Sequence, residues 1–574
     1  ALVRGAVTRW GSVVTDTLLS GLNERQRLVA TTFDAPVCVM AGAGTGKTRA
    51  ITHRVAYGVQ SGHYDAEHVL ALTFTQKAAQ EMAGRIRALG VDGVEARTFH
   101  SAALRQLQHF WPQLTDGYLP DIIASKAPVV SHVLETMSIR VDQAVLRDIA
   151  GEIEWRKVKA YTLDEYRHAL ESDGRALPGG VDADTMVEVM SRYESVKDER
   201  KRIDFEDVLL AATGMLESEP SIANRIRTRY RHFVVDEYQD VSPIQQRLLD
   251  LWLGDRDDVC VVGDASQTIY SFAGATSDYL VRFSDAHPNA RVIQLDENYR
   301  SSADIIRAAN LTVEGMPGAL SLRTSESESE PIVLGHLETD DDEARWVATQ
   351  ITAAISRGVP PSDIAVLHRF SAQSLLTEGA LRNAGVSVRS QGGTRFFDQP
   401  HVKRAVMEIR GAAVANTGGP LLRVVDDVLF GLGFSEARPE HHGTARGVWE
   451  DLRAIRDLAE AFPQGRGLKE FSEDLVRRAE AHDEPSLQSV TLATVHSAKG
   501  QEWPVVFVVG LSVGQFPISY AVSESEIEEE RRLFYVAVTR ARKQLGLSWS
   551  KRAKAGSGAD RIMSPFLGAI GVAA

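Results

Sequence analysis

Val37-Cys38-Val39-Met40-Ala41-Gly42-Ala43-Gly44-Thr45-Gly46-Lys47-Thr48 sets the reading of the whole chain. The apolar run Val37 to Ala41 reads as a strand, the small residues after it as a tight loop, and a helix follows, which is the context a phosphate-binding loop requires. Small residues let backbone N–H groups approach the β- and γ-phosphates of a nucleotide. Lys47 supplies the opposing charge, and Thr48 stands at a helix N-terminus where its hydroxyl can ligate magnesium. The expected nucleotide set is Ala41, Gly42, Ala43, Gly44, Thr45, Gly46, Lys47 and Thr48, with Ala41 where the strict pattern has glycine. Such a loop needs a carboxylate at the end of a neighbouring strand. Phe233-Val234-Val235-Asp236-Glu237-Tyr238-Gln239-Asp240 supplies it, an apolar strand delivering two adjacent acids whose side chains point in different directions. Asp236 is expected to hold the magnesium, Glu237 to polarise the attacking water, and Asp240 to order the neighbouring loop.

Short apolar runs alternate with helical stretches along the rest of the chain: Val69 to Thr75, Val259 to Val262, Val292 to Leu295, Ile364 to His368, Val490 to Val495, Val505 to Leu511 and Leu545 to Trp549. That rhythm predicts an α/β protein with parallel sheets. It is interrupted at 111–200 and at 388–487, where helical periodicity dominates, as in Ile149 to Ala160 and Val448 to Ala461, and each stretch reads as a helical insertion. The balance of 64 Lys+Arg against 77 Asp+Glu, a net charge of -13, argues against a non-specific DNA coat and confines any nucleic-acid site to a local groove. Cys38 and Cys260 sit inside apolar runs, so neither a disulfide framework nor a four-ligand zinc site is available and a reducing compartment is expected. With no uninterrupted apolar run of about 18 residues and no basic-then-apolar leader, the expectation is a soluble cytoplasmic protein with no membrane partner.

Further motifs stand around the two nucleotide motifs in a fixed order. Leu22-Asn23-Glu24-Arg25-Gln26 precedes them. Val261-Val262-Gly263-Asp264-Ala265-Ser266-Gln267-Thr268-Ile269-Tyr270, Leu295-Asp296-Glu297-Asn298-Tyr299-Arg300-Ser301, Thr494 to Trp503 and Glu529 to Arg540 follow. With this series, from Leu22 to Leu567, the chain resembles the UvrD/Rep/PcrA family of superfamily 1 helicases. The resemblance implies two RecA-like P-loop NTPase motor domains with parallel sheets. The first would comprise 1–110 and 201–289 with the insertion 111–200, and the second 290–387 and 488–574 with the shorter insertion 388–487. It further implies an ATP-driven 3′ to 5′ translocase, with ATP and Mg2+ as cofactors and a role in repair or replication. The implied partners are single-stranded DNA, single-to-double-strand junctions, and an accessory or loading protein.

By the same resemblance Gln26 reads adenine, Gln267 senses the γ-phosphate, Tyr299 stacks on the base, Glu502 binds the ribose, and Arg49 lies near the nucleotide. Arg300 and Arg540, from the second motor domain, would reach the γ-phosphate, where positive charge stabilises the transition state. A chain that used nucleotide only as a switch would have lost Glu237 or an arginine finger, and neither is lost. The helix carrying Arg540 is expected to start behind Ser525-Glu526-Ile527-Glu528, with Glu526 to Glu530 as a solvated first stretch.

Leu72-Thr73-Phe74-Thr75-Gln76-Lys77-Ala78-Ala79 resembles the family's first DNA-contact motif, and Thr98-Phe99-His100-Ser101 the next. A single-strand track needs aromatic faces for bases and small polar groups for phosphates. The expected contacts are Phe74, Thr98, His100, Tyr270, Phe272, His368, Arg369 and Phe396, with Thr494, His496 and nearby Lys499 on the second motor domain. The chain departs from the family pattern in two places. Ala273 stands where the third motif ordinarily has arginine, and Ser550 to Ile562, in place of the family's aromatic wedge, contains no aromatic residue.

Overall fold

The computed structural model describes residues 18–571 apart from 116, 174, 176, 327–329, 392–395, 416–418, 436–443, 464, 482–487 and 555–559. The chain divides into two compact units, Ala1–Asn298 with Gly315–Leu322, and Tyr299–Glu314 with Arg323–Ala574.

The first unit is built on a six-stranded sheet whose strands are β1 (Val37–Ala41), β2 (Val69–Thr73), β3 (Glu95–Thr98), β4 (His232–Val235), β5 (Val259–Gly263) and β6 (Arg291–Leu295). Their order across the sheet is β3-β2-β4-β5-β1-β6, and every neighbouring pair is parallel. Because side chains alternate along a strand, each strand feeds two cores. Cys38, Leu70, Leu72, Phe233 and Val261 pack on one face, whereas Val39, Ala71, Val234 and Val262 pack on the other. The helices that matter for the site are α1 (Glu24–Thr31), α2 (Lys47–Gln60) and α3 (Phe99–Leu114).

An insertion follows, made of α4 (Ala127–Thr136), α5 (Gln143–Val158), α6 (Leu163–Asp173) and α7 (Ala183–Glu199). These helices close on a core of their own that includes Val130, Val133, Ile149, Ile153, Met186 and Tyr193. Helix α8 (Phe205–Ser218) returns the chain to the motor core through Val208, Leu209 and Ala212. The boundary expected at 289/290 falls just before β6, and that strand pairs with β1 from Val37↔Arg291 to Ala41↔Leu295 in the first sheet. Only Ile293 and Leu295 of β6 are buried, the pattern of an edge strand.

The second unit repeats the plan. Its strands are β7 (Val333–Thr339), β8 (Ile364–His368), β9 (Val388–Ser390), β10 (Val490–Thr494), β11 (Trp503–Val508) and β12 (Ala541–Arg552), in the order β7-β12-β11-β8-β10-β9, all parallel. Strand β9, within the stretch read as insertion, pairs with β10 and belongs to the sheet. The helices of the second insertion are α9 (Pro400–Val414), α10 (Leu421–Gly431), α11 (Thr444–Glu460) and α12 (Leu468–Ala481), and they share a core that includes Val402, Ile409, Leu429, Ile455 and Phe471.

Helix α13 (Glu524–Val538) starts two residues earlier than expected, because Ser523 is the N-cap and Glu526 completes the capping box. Glu530 is not solvated as expected. It is 4% exposed and paired with Arg369. Both units have the α/β architecture with parallel sheets that the alternation of apolar runs and helices predicts. Among the described residues no helix is long and apolar enough to cross a membrane.

Candidate nucleotide and DNA sites

In a parallel sheet all the C-terminal strand ends lie on one edge, and ligands gather there. In the first unit the sheet order sorts that edge. The phosphate loop follows β1, Asp236 follows β4 and Gln267 follows β5, three neighbouring strands, while Phe74 follows β2 and His100 follows β3 on the other side.

Four hydrogen bonds turn the carbonyls of the phosphate loop away from its concavity. Lys47 Nζ donates to Ala41 O at 3.5 Å, Thr45 Oγ1 to Gly42 O at 2.9 Å, Asn298 Nδ2 to Ala43 O at 2.6 Å and Gln26 Nε2 to Thr45 O at 2.9 Å. Across a planar trans peptide the next N–H points the opposite way, so the bonds on Gly42, Ala43 and Thr45 turn the N–H groups that follow them toward the loop's interior, whereas Gly42 N donates back to Leu295 O at 3.2 Å. Gly44 and Gly46 have φ of 69° and 82°, which suits glycine. At Gly46 a Cβ would also lie 2.6 Å from Gln26 Nε2, and at Gly42 it would lie 2.2 Å from Leu322 Cδ2. Helix α2 begins after Gly46 with no side-chain cap, so its first N–H groups remain for a ligand. Gln26 itself is held by the capping box of α1, Asn23 Oδ1 accepting from Gln26 N at 2.7 Å.

Thr48 Oγ1 donates to Asp236 Oδ2 at 3.3 Å. Burial, then the charge of Glu237, pushes the Asp236 carboxyl up to about 7 against the opposing pull of Lys47. Glu237 has a left-handed backbone, φ 53°, which a non-glycine residue rarely adopts and which turns its side chain away from that of Asp236. Gln239, fully buried, then links two motifs. Its Nε2 donates to Glu237 Oε2 at 2.5 Å and to Asp240 Oδ2 at 3.3 Å, while its Oε1 accepts from Asp264 N at 2.9 Å. Asp264 Oδ2 in turn accepts from Gln267 Nε2 at 2.7 Å. Arg49 is directed elsewhere, its Nη2 donating to Gly21 O at 2.7 Å.

Neither Asn298 nor Gln239 carries a role in the sequence reading. Neutral amides give no charge pattern to find, although both lie inside the quoted motifs.

The second unit holds Tyr299, which is exposed, and Arg300, which is paired with Glu502. Arg540 is 2% exposed and donates from Nε to Val536 O at 2.9 Å and from Nη1 to Gln501 O at 3.0 Å. Glu502 and Arg540 immediately precede β11 and β12, whereas Thr494 ends β10 and Arg369 follows β8. The nucleotide and DNA candidates of this unit therefore stand at opposite ends of its parallel strands.

On the face of the first unit that carries the candidate DNA contacts, two aromatic pairs form. Phe74, 47% exposed, stacks on Tyr270 with ring centroids 5.4 Å apart, and His100 stacks on Phe205 at 3.9 Å. Phe205 is 53% exposed and was not anticipated, since in sequence it is one aromatic at a helix start with no motif around it. Thr98 Oγ1 caps α3, accepting from Ser101 N at 3.1 Å. Burial first, and Lys126 second, hold the His100 imidazole down to about 4. His496 is likewise held down to about 4, by burial and then by Arg369 and Lys499. Thr494 Oγ1 accepts from Ser497 N at 3.3 Å.

Two expected DNA contacts are corrected. His368 and Phe396 are buried in cores and present no face. Arg369 is held internally by Glu530, with Nε to Oε1 at 2.9 Å and Nη2 to Oε1 at 2.7 Å. The side chain of Phe272 and the tip of the Ser550 to Ile562 segment, 555–559, lie outside the described residues.

Phosphate loop, paired acids after the next strand but one, and parallel sheets wound with helices define a P-loop NTPase of the RecA-like kind. A family model described as the UvrD/REP helicase N-terminal domain matches residues 22–288, and one described as the UvrD-like helicase C-terminal domain matches 293–434 and 448–552. The chain belongs to the UvrD-like family of ATP-dependent DNA helicases. It is 42% identical over 582 residues to the ATP-dependent DNA helicase UvrD2 of Mycobacterium tuberculosis (strain ATCC 25618 / H37Rv), covering 97% of this chain and 83% of the relative. It is 28% identical to the ATP-dependent DNA helicase PcrA of Bacillus subtilis (94% and 84% covered) and 29% identical to DNA helicase II of Escherichia coli (93% and 85% covered).

Proposed function

We propose that this chain is an ATP-driven motor that moves 3′ to 5′ along single-stranded DNA in repair or replication, in the cytoplasm, and loads at single-to-double-strand junctions with help from an accessory protein. The observation that carries the reading is the Thr48–Asp236 pair beside Lys47, joined through Glu237 and Gln239 to Gln267. Lys47 and the inward N–H groups hold the β- and γ-phosphates, Gln26 holds the base, and Glu237 orients the attacking water. Thr48 and the under-compensated Asp236 carboxylate fit a magnesium ion that would neutralise charge on the phosphates, taking its other ligands from nucleotide and water. Arg300 and Arg540 add positive charge as the γ-phosphoryl group leaves, and Tyr299 and Glu502 contact the nucleoside. Phe74, Tyr270, His100 and Phe205 offer ring faces to bases, and Thr98, Thr494 and His496 line the phosphate path.

The Gln239 bridge ties Glu237 to the loop that leads to Tyr270, so a base stacked there bears on the water-orienting carboxylate. The test is steady-state ATPase with and without oligo(dT), followed by strand displacement on duplexes with a 3′ or a 5′ tail. Stimulation by DNA and displacement from the 3′ tail alone are expected, and displacement from the 5′ tail alone overturns the assigned polarity.

A further inference from the structure

We propose that the helical insertion of the first unit clamps the start of α8 so that Phe205 and His100 are held ready for a DNA base, with Lys126 as a positioning residue. The inference rests on reading that face as the single-strand track. Phe205 is exposed, yet its chain neighbours are buried acids: Asp204, 1% exposed, and Glu206, 6% exposed. Asp204 Oδ2 is met by Lys157 Nζ at 2.7 Å, Lys197 Nζ at 3.2 Å and the Tyr193 hydroxyl at 2.9 Å. Asp207 is met by Lys157 at 2.6 Å and by Lys197. On the other side of Phe205, Lys126 Nζ lies 2.6 Å from Glu206 Oε2 and 3.3 Å from Glu154.

Lys126 immediately precedes α4, Lys157 and Glu154 are on α5, and Tyr193 and Lys197 are on α7, so all these partners come from the insertion. The third-motif loop meets the insertion too, since a Cβ on Gly274 would lie 2.5 Å from Val158 Cγ1 at the end of α5.

Alternating fixation explains the exposed ring. An aromatic side chain gains by burial, but with both neighbours anchored inward the residue between them must point out, where stacking on His100 recovers part of the loss. Each acid depends on its lysine, because a buried carboxylate stripped of its cation is strongly destabilised. Removing Lys126 therefore unseats Glu206 and, with it, the adjacent Phe205. The Lys126 charge also helps keep His100 neutral, so the platform carries no charge of its own.

The full-length chain and its Lys126→Met, Lys126→Arg and Lys126→Met/Glu206→Gln variants are compared in ATPase assays titrated with oligo(dT), with Phe205→Ala and Phe74→Ala as controls. Lys126→Met should raise the half-saturating oligo(dT) concentration about 10-fold, the equivalent of losing one base stack, with DNA-free ATPase and the KM for ATP unchanged. Lys126→Arg should return it to within about 2-fold of wild type, which a merely structural role for a close-packed lysine stem would not require. Should Lys126→Met fail to fold, the double variant strands no charge and carries the same test, with a rise of about 3-fold. A half-saturation within about 2-fold of wild type in Lys126→Met or, where that variant does not fold, in Lys126→Met/Glu206→Gln, while Phe205→Ala and Phe74→Ala raise it, overturns the clamp alone. If neither phenylalanine variant moves it, the track reading fails and the clamp with it.

Discussion

Asp236 and Glu237 are adjacent in sequence but meet different partners because the backbone turns between them, and the proposed function gives them different roles. The left-handed φ of Glu237 sends one carboxylate toward Thr48 and the other toward Gln239. Lys47→Ala and Glu237→Gln should therefore fail differently. Both nearly abolish hydrolysis, but Glu237→Gln keeps nucleotide and DNA binding, since Lys47 acts on phosphate charge throughout and Glu237 on the water alone. Equilibrium binding of a fluorescent ATP analogue beside turnover checks this, and robust DNA-stimulated hydrolysis by Glu237→Gln would remove its assigned role.

A second residue-scale effect concerns stability. Burial pushes His368 down from 6.5 to about 4, and His100 and His496 behave alike. Between those values the unfolded chain binds protons that the folded chain does not. Stability is therefore full above about pH 6.5 and falls toward pH 4, at roughly 1.4 kcal/mol per pH unit for each histidine. Melting temperatures across that window should show the decline, and His368→Gln should flatten it; an unchanged slope in the variant contradicts the assignment.

At the scale of elements, what was legible in sequence and what was not follows burial. Strands covered on both faces, such as β2 and β5, announce themselves as unbroken apolar runs. The strands that went unread, β3, β7 and β9, are all at sheet edges or reach one, with half-buried residues such as Glu95-Ala96-Arg97-Thr98. The charged motifs of the nucleotide site were legible because their chemistry dictates residue type. Gln239, Asn298 and Phe205 were not, because their roles come from where the fold places them.

The helix α13 shows the same limit. Its acids look solvated in sequence, yet Glu530 faces inward to Arg369. At its end, Arg540 is held by the carbonyls of Val536 and Gln501, and Arg300 by Glu502. If both act on phosphate as proposed, each must give up these partners to do so. Arg300→Ala and Arg540→Ala should each cut turnover at least ~10²-fold with smaller effects on nucleotide affinity, as transition-state contacts do. Their defects should not multiply. Single-turnover rates of the double variant equal to the product of the singles would show two independent contributions instead.

At the scale of the whole molecule, two α/β units built on parallel sheets each carry a helical insertion, and the family is that of ATP-dependent DNA helicases. Moving along a strand and opening a duplex are separable demands on such a machine. Opening a base-pair step costs on the order of 1 to 2 kcal/mol, and an aromatic wedge can return a similar amount by stacking. Ser550 to Ile562 contains no aromatic residue to do so. Its described stem is closed by Arg552 on Asp560 and Arg561 on Asp340. The chain alone should translocate well and unwind poorly, with steep dependence on GC content, and Ala559→Tyr should improve unwinding. Efficient opening of a GC-rich tailed duplex at rates near translocation would refute this.

The central claim is that nucleotide turnover at the Lys47–Asp236–Glu237 site is coupled through Gln239 to a single strand lying on Phe74 and Tyr270. The most direct measurement is ATP turnover at saturating ATP, with and without oligo(dT), for wild type and Gln239→Ala. The account predicts strong stimulation of the wild type by DNA and, in the variant, retained DNA binding with most of the stimulation gone. Equal stimulation of both proteins would contradict it.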